Sequence, residues 1–506
     1  MDLVAAHTAT HPHRTALIEG ERSLTWEQFF RTRNRLAHSL AGLGIGAGQH
    51  VIVYAHNALE NLVAGAALRA LGAIGVPMNH RLTAEEVAYI LDNADATAVF
   101  VGDAFLPMAE RVRGAARVKH WITLGAERRP WAEALDDLLA QGSEAPPPAV
   151  PAMGGSMIYT AGTTGKPKGA RRRVTDPAAI LPRLAALDCL DPAQVHLVAG
   201  PLYHSAPGGF ALYAQMVGGT VVVMRKFDPE EALRLVERHH CTTTFMAPTL
   251  LKRIVDLPAE VRARYDVSSM RSLVIAAAPC PMRVKEQAVA MFGPALYEFY
   301  GSTELGVNTV LRPEDVLRKP GSCGRAAPGV ELAILDDDGR RAAPGTPGEL
   351  FVRRYEGVFD EYYGNPTATA QTSRGEWMSV GDVAWMDDEG FVYICDRKRD
   401  MIISGGVNIY PAEIEDALHR HPAVEDAAVF GVPDAEWGER VHAAIQLRPG
   451  ERVTERELMD FCRAHLADYK APREVSFHDD FPRDTAGKLV KRLLREPYWA
   501  GRTTRV

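Results

Sequence analysis

Residues 156–173 read "SMIYTAGTTGKPKGARRR", a loop rich in glycine, threonine and lysine behind a short apolar run. Small residues let backbone N–H groups approach an anion and lysines neutralise it, so the composition points to phosphate. The Walker pattern, GxxxxGK[ST] opening a helix, is excluded. Gly165-Lys166 is followed by Pro167, which has neither a hydroxyl for Mg2+ nor an N–H to donate. Taken alone, such a stretch is more simply a surface turn, so its meaning depends on what surrounds it.

Upstream of the loop the chain alternates two periods. "TWEQFFRTRNRLAHSLAGLG" opens on a capping box, Thr25 with Gln28, carries apolar residues at helical spacing and stops at glycine. The buried-strand run "VIVY" (51–54) follows, then a helical stretch over 58–71 and "AIGVPMN". A second capping box, Thr83 with Glu86, starts another helix, and "TAVFV" (97–101) reads as a strand. Runs of the same kind recur at "HLVAG", "TVVVM", "TTTFMAP" and "SLVIAAAP". Strands alternating with helices predict a parallel α/β sheet with helices on its faces.

The segment 141–155, "QGSEAPPPAVPAMGG", is a Pro/Gly-rich linker leading into the loop. After about 325 the texture changes to short strands with Asp-Gly and Pro-Gly turns, which predicts a small antiparallel subdomain. From 398 a compact α+β unit is expected: helix (411–421), strand ("AAVFGVP"), strand ("VHAAIQLR"), helix (454–467) and strand ("EVSFH"). The expected division is therefore 1–397 and 398–506.

With 506 residues the chain exceeds what one hydrophobic core usually supports. A hydrophobic content of 46% and a charged content of 24% are those of an ordinary soluble globular protein, and a formal net charge of −7 argues against a nucleic-acid partner. Six cysteines lie far apart with no CxxC pair, which reads as reduced thiols rather than a disulfide frame or zinc site. The first residues, "MDLVAAHTATHPHRT", lack a basic flank and a long apolar core, and no segment has the roughly 18 uninterrupted apolar residues of a spanning helix. A soluble, cytoplasmic protein is expected.

Four further stretches stand in a fixed order with the loop. "YEFYGSTELG" (297–306) holds Tyr300, Thr303 and Glu304: an aromatic face for a purine, a hydroxyl for a phosphate, a carboxylate for Mg2+. "GDVAWMDDEGFVYICDRKRD" contains Asp382 and Arg397, suited to ribose hydroxyls by acceptance and by a charge-assisted contact. "SGGVNIYPAEIE" follows at 404–415, and "PRDTAGKLVKRLLRE" (482–496) places Lys488 just after Gly487 in a turn leading into a basic helix. Each by itself has a plainer reading as a loop, a capped turn or a solvated charge.

Together, and with "PLYHSAP" (201–207) and "AAAP" (276–279), they resemble the acyl-adenylate-forming superfamily, specifically the acyl-CoA synthetases, over nearly the whole chain. The resemblance implies two half-reactions. A carboxylate attacks the α-phosphate of ATP to give acyl-AMP and pyrophosphate, then the thiol of coenzyme A takes the acyl group and expels AMP. It implies ATP, Mg2+ and coenzyme A as cofactors, and a small mobile C-terminal domain after a large one of mainly parallel sheets. Carried over residue by residue, Thr160, Thr163, Thr164, Gly165 and Lys168 hold phosphates, and Glu304 with Thr163 places Mg2+. Ala276, Ala277 and Ala278 sandwich adenine with Tyr300, and Gly301, Ser302 and Thr303 complete the turn at the α-phosphate. Asp382 and Arg397 fix ribose, and Lys488 bridges carboxylate and α-phosphate oxygens. After adenylation the C-terminal domain rotates, withdraws Lys488 and presents Ser404, Gly405 and Gly406 to the pantetheine arm, with the hinge at Arg399.

The resemblance makes His204 the gate of the acyl pocket, with Tyr203, Phe210 and Val307 nearby; a packed histidine beside a turn is the alternative. No acid in "PLYHSAP" could meet an amino group, so an apolar acid, fatty or aromatic, is expected, with medium or long fatty acyl slightly ahead. Ala161 stands where the family usually has serine, which implies a looser hold on the triphosphate. The arginines of "ARRR" (170–173) read as solvated charges, with a membrane-surface contact as the alternative. Adenylation followed by transfer to a carrier-protein phosphopantetheine or by an oxidative reaction, and a nucleotide-binding protein without ligase activity, are the competing functions. The oligomeric state is open, with a homodimer as one expectation.

Overall fold

The computed structural model describes residues 2–114, 117–150, 154–160, 167–172, 176–336, 338–397, 400–404, 407–434, 437–483 and 489–500. Two large sheets carry the N-terminal part. The eight-stranded sheet runs Glu361–Tyr362, Lys168–Arg172, Ser156–Thr160, Ile74–Pro77, His50–Tyr54, Ala96–Val101, His120–Thr123 and Glu133–Ala134, parallel from Ser156–Thr160 onward. Val51, Ile52, Val99 and Val101 are all buried, so consecutive residues are apolar whichever face they point to. That is how a strand covered by helices on both sides must read. The helices come from local signals. Thr25 accepts from Gln28 N at 3.2 Å while Gln28 Oε1 accepts from Thr25 N at 2.9 Å, and Thr83 and Glu86 make the same reciprocal pair.

The seven-stranded sheet runs Leu296–Glu298, Ser272–Ile275, Thr243–Met246, Val195–Val198, Thr220–Val223, Thr15–Glu19 and Arg22–Thr25, parallel except for the last hairpin. A six-stranded antiparallel sheet follows, from Leu332–Leu335 to Val392–Arg397. The segregated α/β and antiparallel parts are those expected from the sequence. The C-terminal part is a five-stranded sheet built on one long antiparallel pair, Val424–Asp434 with Gly438–Leu447. Its core, Ile402, Ile409, Ile414, Leu418, Val429, Ile445, Leu458 and Val475 among others, is separate from those of the preceding sheets. Leu494 of the helix Lys491–Trp499 packs against the opposite face through Phe430, Val432 and Phe481.

One expectation is corrected. The segment "ARRR" is not simply a run of solvated charges, because Lys168–Arg172 is a strand hairpinned onto Ser156–Thr160. Strand alternation buries Ala170, pairs Arg171 with Glu361 and turns Arg172 to the carbonyl of Thr303. Among the described residues no helix is long and apolar enough to cross a membrane.

Candidate active site

Parallel strands deliver their following loops to one edge. Ile275 pairs with Glu298, so the turns 276–278 and 299–302 leave neighbouring strand ends side by side. Ala276 is buried, and Ala277 has φ +78°, a left-handed conformation costly for a residue with a β-carbon. Strain of this kind persists where the surrounding structure demands it, and here it turns the backbone at the predicted adenine ledge. Tyr300 continues from the adjacent strand end and its hydroxyl donates to Asp382 Oδ2. Asp382 is 7% exposed and stands opposite Arg397 in the strand register, so backbone pairing brings the two predicted ribose residues together.

The next turn is a tight hairpin. Gly301 and Ser302 pair with Val307 and Gly306, and a β-carbon on Gly301 would lie 2.0 Å from the Gly306 carbonyl oxygen. Glycine is therefore required at 301 for close backbone approach. Ser302 Oγ accepts from Leu305 N at 3.1 Å, which closes the turn. Thr303 Oγ1 donates to Ser205 Oγ at 3.1 Å, and its carbonyl accepts from Arg172. Glu304, 7% exposed, accepts from Tyr362 OH at 2.8 Å and from Thr160 Oγ1 at 3.3 Å. Lys168 Nζ lies 5.2 Å from the centroid of the Tyr362 ring, a cation–π distance. The loop strand, the "YGSTE" turn and the strand Glu361–Tyr362 thus converge on one carboxylate.

His204 precedes the helix Ser205–Met216, with its ring 4.5 Å from Tyr203. Tyr203 contacts His80 at 5.0 Å, and His80 contacts His56 at 4.6 Å. Burial, reinforced by His56, Arg81 and His204, pushes His80 down to about 4, so it is neutral at physiological pH. Phe210, on the same helix as Ser205, stacks with Phe245 at 5.4 Å and with His196 at 6.2 Å. Phe299 closes the group at 6.0 Å, with Val307 in the same cluster. Burial pushes His196 down to about 3, so it brings no charge to this apolar wall.

Ser404 stands in the C-terminal sheet, paired with Val407 and Gly438, and makes no hydrogen bond to the Tyr300–Asp382 group among the described residues. Thr163, Thr164, Gly165, Gly405, Gly406, Lys488 and Arg399, the expected hinge, lie outside the described residues, as does Ala161. Three contributors were not legible in the sequence: Tyr362, Ser205 and Arg172. Tyr362 sits in "EYYGNP", where nothing in the spelling separates it from a core tyrosine.

Replacing Tyr300 by phenylalanine removes the donor to Asp382 and leaves a buried carboxylate short of one partner. An ATP titration of pyrophosphate release is expected to show KM for ATP raised about 3–10-fold, the scale of one ordinary intramolecular hydrogen bond.

Residues 4–363 match the family model of the AMP-binding enzymes, and 413–488 that of the AMP-binding enzyme C-terminal domain. The chain is 34% identical to a fatty acid–[acyl-carrier-protein] ligase of Streptomyces coeruleorubidus, over 99% of this chain and 96% of that one. It is 33% identical to a long-chain-fatty-acid–CoA ligase of Mycobacterium tuberculosis, over 94% and 93%. Among solved structures, the amide bond synthetase of Marinactinospora thermotolerans superposes with a TM-score of 0.89 at 28% identity, covering 98% of this chain and 100% of that one. With its strained 276–278 turn, its Tyr300–Asp382 contact and its Glu304 cluster, the chain belongs to the acyl-adenylate-forming superfamily of AMP-binding enzymes.

Proposed function

We propose that the protein is an acid–thiol ligase that activates a carboxylic acid as acyl-AMP and passes the acyl group to coenzyme A. The observation that carries the reading is the convergence of Thr160, Tyr362 and Glu304 beside Thr303. Carboxylate and triphosphate are both anions, so adenylation needs donors and cations that hold them together in line. On this reading Thr303 Oγ1, which donates to Ser205 Oγ, turns its proton to the α-phosphate when ATP binds. Tyr300 and the 276–278 turn hold adenine, and Asp382 accepts from ribose. Lys168, Thr163, Thr164 and Gly165 grip the β/γ end, which must later leave as pyrophosphate, and Lys488 neutralises the oxygens between which charge develops.

The Glu304 carboxylate and the hydroxyls around it are hard oxygen donors. They suit Mg2+ shared with substrate phosphates better than an all-protein cage, and Glu304 with Thr163 would hold it. Bound there, the ion supplies charge neutralisation on the phosphates. We place the boundary between a catalytic domain and a rotating C-terminal domain at 397/398, with Ser404, Gly405 and Gly406 as the face that meets the pantetheine arm. The aromatic wall of Phe210, Phe245 and Phe299 supports an acid with an apolar body, fatty or aromatic.

A second acceptor is favoured by one finding, the carrier-protein specificity named for the Streptomyces relative. Pyrophosphate and AMP release are measured against short, medium and long fatty acids, benzoates and cinnamates, with no acceptor, with coenzyme A, or with a phosphopantetheinylated carrier protein. The ligase reading requires pyrophosphate release that depends on added acid and AMP release that depends on coenzyme A. Release that never depends on acid overturns it, and AMP release only with the carrier protein moves the acceptor.

A further inference from the structure

Arg183 lies on the short helix Leu181–Ala186 and is 4% exposed. Its neighbours on that helix, Leu184 and Ala186, belong to the same buried cluster as Phe210, Phe245, Phe299 and Val307, the residues that the proposed function assigns to the apolar body of the acid. The guanidinium stacks on the ring of Tyr355 at 4.1 Å. Tyr355 OH in turn donates to the carbonyl of Leu305 at 2.6 Å and lies 3.2 Å from that of Val307, directly after the "YGSTE" turn. Arg183 is thus tied through one ring to the backbone that carries Thr303 and Glu304.

Among the described residues no acidic side chain balances this cation. Its polar contact is a donation from Nη2 to the Ala179 carbonyl at 3.2 Å, while Nε is buried with no partner. No carboxylate among the described residues pairs with it. Tyr355 supplies no phenolate, because burial pushes its hydroxyl up to about 12 even against the opposing pull of Arg183 and Arg172. Beside the guanidinium, Gly357 has φ +104°, and a β-carbon there would come 3.9 Å from Arg183 Nη1. A buried cation without a counter-ion is costly, and a planar guanidinium is the group best shaped to receive a carboxylate through two N–H donors.

We propose that Arg183 receives a second carboxylate at the far end of the acid, so that the preferred substrate is a dicarboxylic acid with an apolar body. The apolar wall takes the body of the chain, Thr303 and Glu304 direct one carboxyl to ATP, and Arg183 selects what stands at the other end. The inference rests on the adenylation reading above. Arg183 is a specificity residue here and takes no part in the reaction at the α-phosphate.

The test compares octanedioate, its monomethyl ester and octanoate as acids in pyrophosphate release, for the full chain and for Arg183→Met and Arg183→Lys. The unaltered protein is expected to favour octanedioate over the ester at least about 10-fold in kcat/KM. Arg183→Met is expected to lose about 10–100-fold on octanedioate while changing less than about 3-fold on the ester and octanoate. Arg183→Lys, which keeps the charge but not the fork, is expected to fall between. Preference of the unaltered protein for the ester, or equal losses on all three acids, overturns the proposal; the first of these needs no variant that folds. A raised KM for coenzyme A with unchanged selectivity among acids overturns it too, by assigning Arg183 to an acceptor phosphate. If no acid at all releases pyrophosphate, the adenylation reading fails instead. Calorimetric binding of octanedioate to the unaltered protein, and its weakening in Arg183→Met, then decides Arg183 alone.

Discussion

Replacing Lys488 by alanine is expected to lower acid-dependent pyrophosphate release by about 10²–10³-fold, the loss typical of one donor that stabilises developing charge. Lys488 follows Gly487 in the sequence and stands shortly before the helix Lys491–Trp499. In adenylation the attacking carboxylate and the α-phosphate carry like charge, and a lysine between them relieves repulsion that peaks in the transition state. The same variant, supplied with preformed acyl-AMP and coenzyme A, is expected to retain most of its thioester formation. That split identifies a group used in one half-reaction only. Equal losses in both would show that Lys488 serves the fold or both steps.

Glu304→Gln is expected to cost about 10²-fold in kcat/KM for adenylation and to raise the Mg2+ concentration needed for half-maximal rate. The substitution preserves size and leaves an oxygen that can still accept from Tyr362 OH and Thr160 Oγ1, so packing changes little. What is lost is the negative charge, and with it the attraction for a hard divalent ion. Rate measured across a Mg2+ titration, alongside a thermal melt, separates the two contributions. A lowered melting temperature with an unchanged Mg2+ dependence would make Glu304 a structural acceptor for Tyr362 and Thr160.

These residues were not equally visible before folding. Thr303, Glu304, Tyr300 and Asp382 stand in ordered motifs, and the structure joins Tyr300 to Asp382 by a direct hydrogen bond. Arg172 illustrates the opposite case. In "ARRR" it reads as one of three equivalent solvated charges, and only strand alternation separates Arg171, paired with Glu361, from Arg172, turned to Thr303. Lys285 is similar. It is a surface-type residue by composition, yet it is buried in the helix Met282–Phe292, where it donates to Glu298 at the end of the strand that leads into Tyr300. Both carboxyl and ammonium there are desolvated, so removing one partner would leave the other uncompensated.

By itself the sequence determined the alternation of helices and strands, because apolar runs covered on both faces and the capping boxes at Thr25 and Thr83 are local properties. It also determined the chemistry on offer, through the order of its glycine, hydroxyl, carboxylate and lysine motifs. Tertiary structure alone decided which groups meet. Glu304 finds Tyr362 58 positions away and Thr160 144 positions away, and Arg183 finds Tyr355 rather than a carboxylate. The reason is physical. Helix and strand formation depend on near neighbours, whereas hydrogen bonding and charge compensation depend on distances of a few ångströms between residues remote in the chain, which only the packing of the sheets sets.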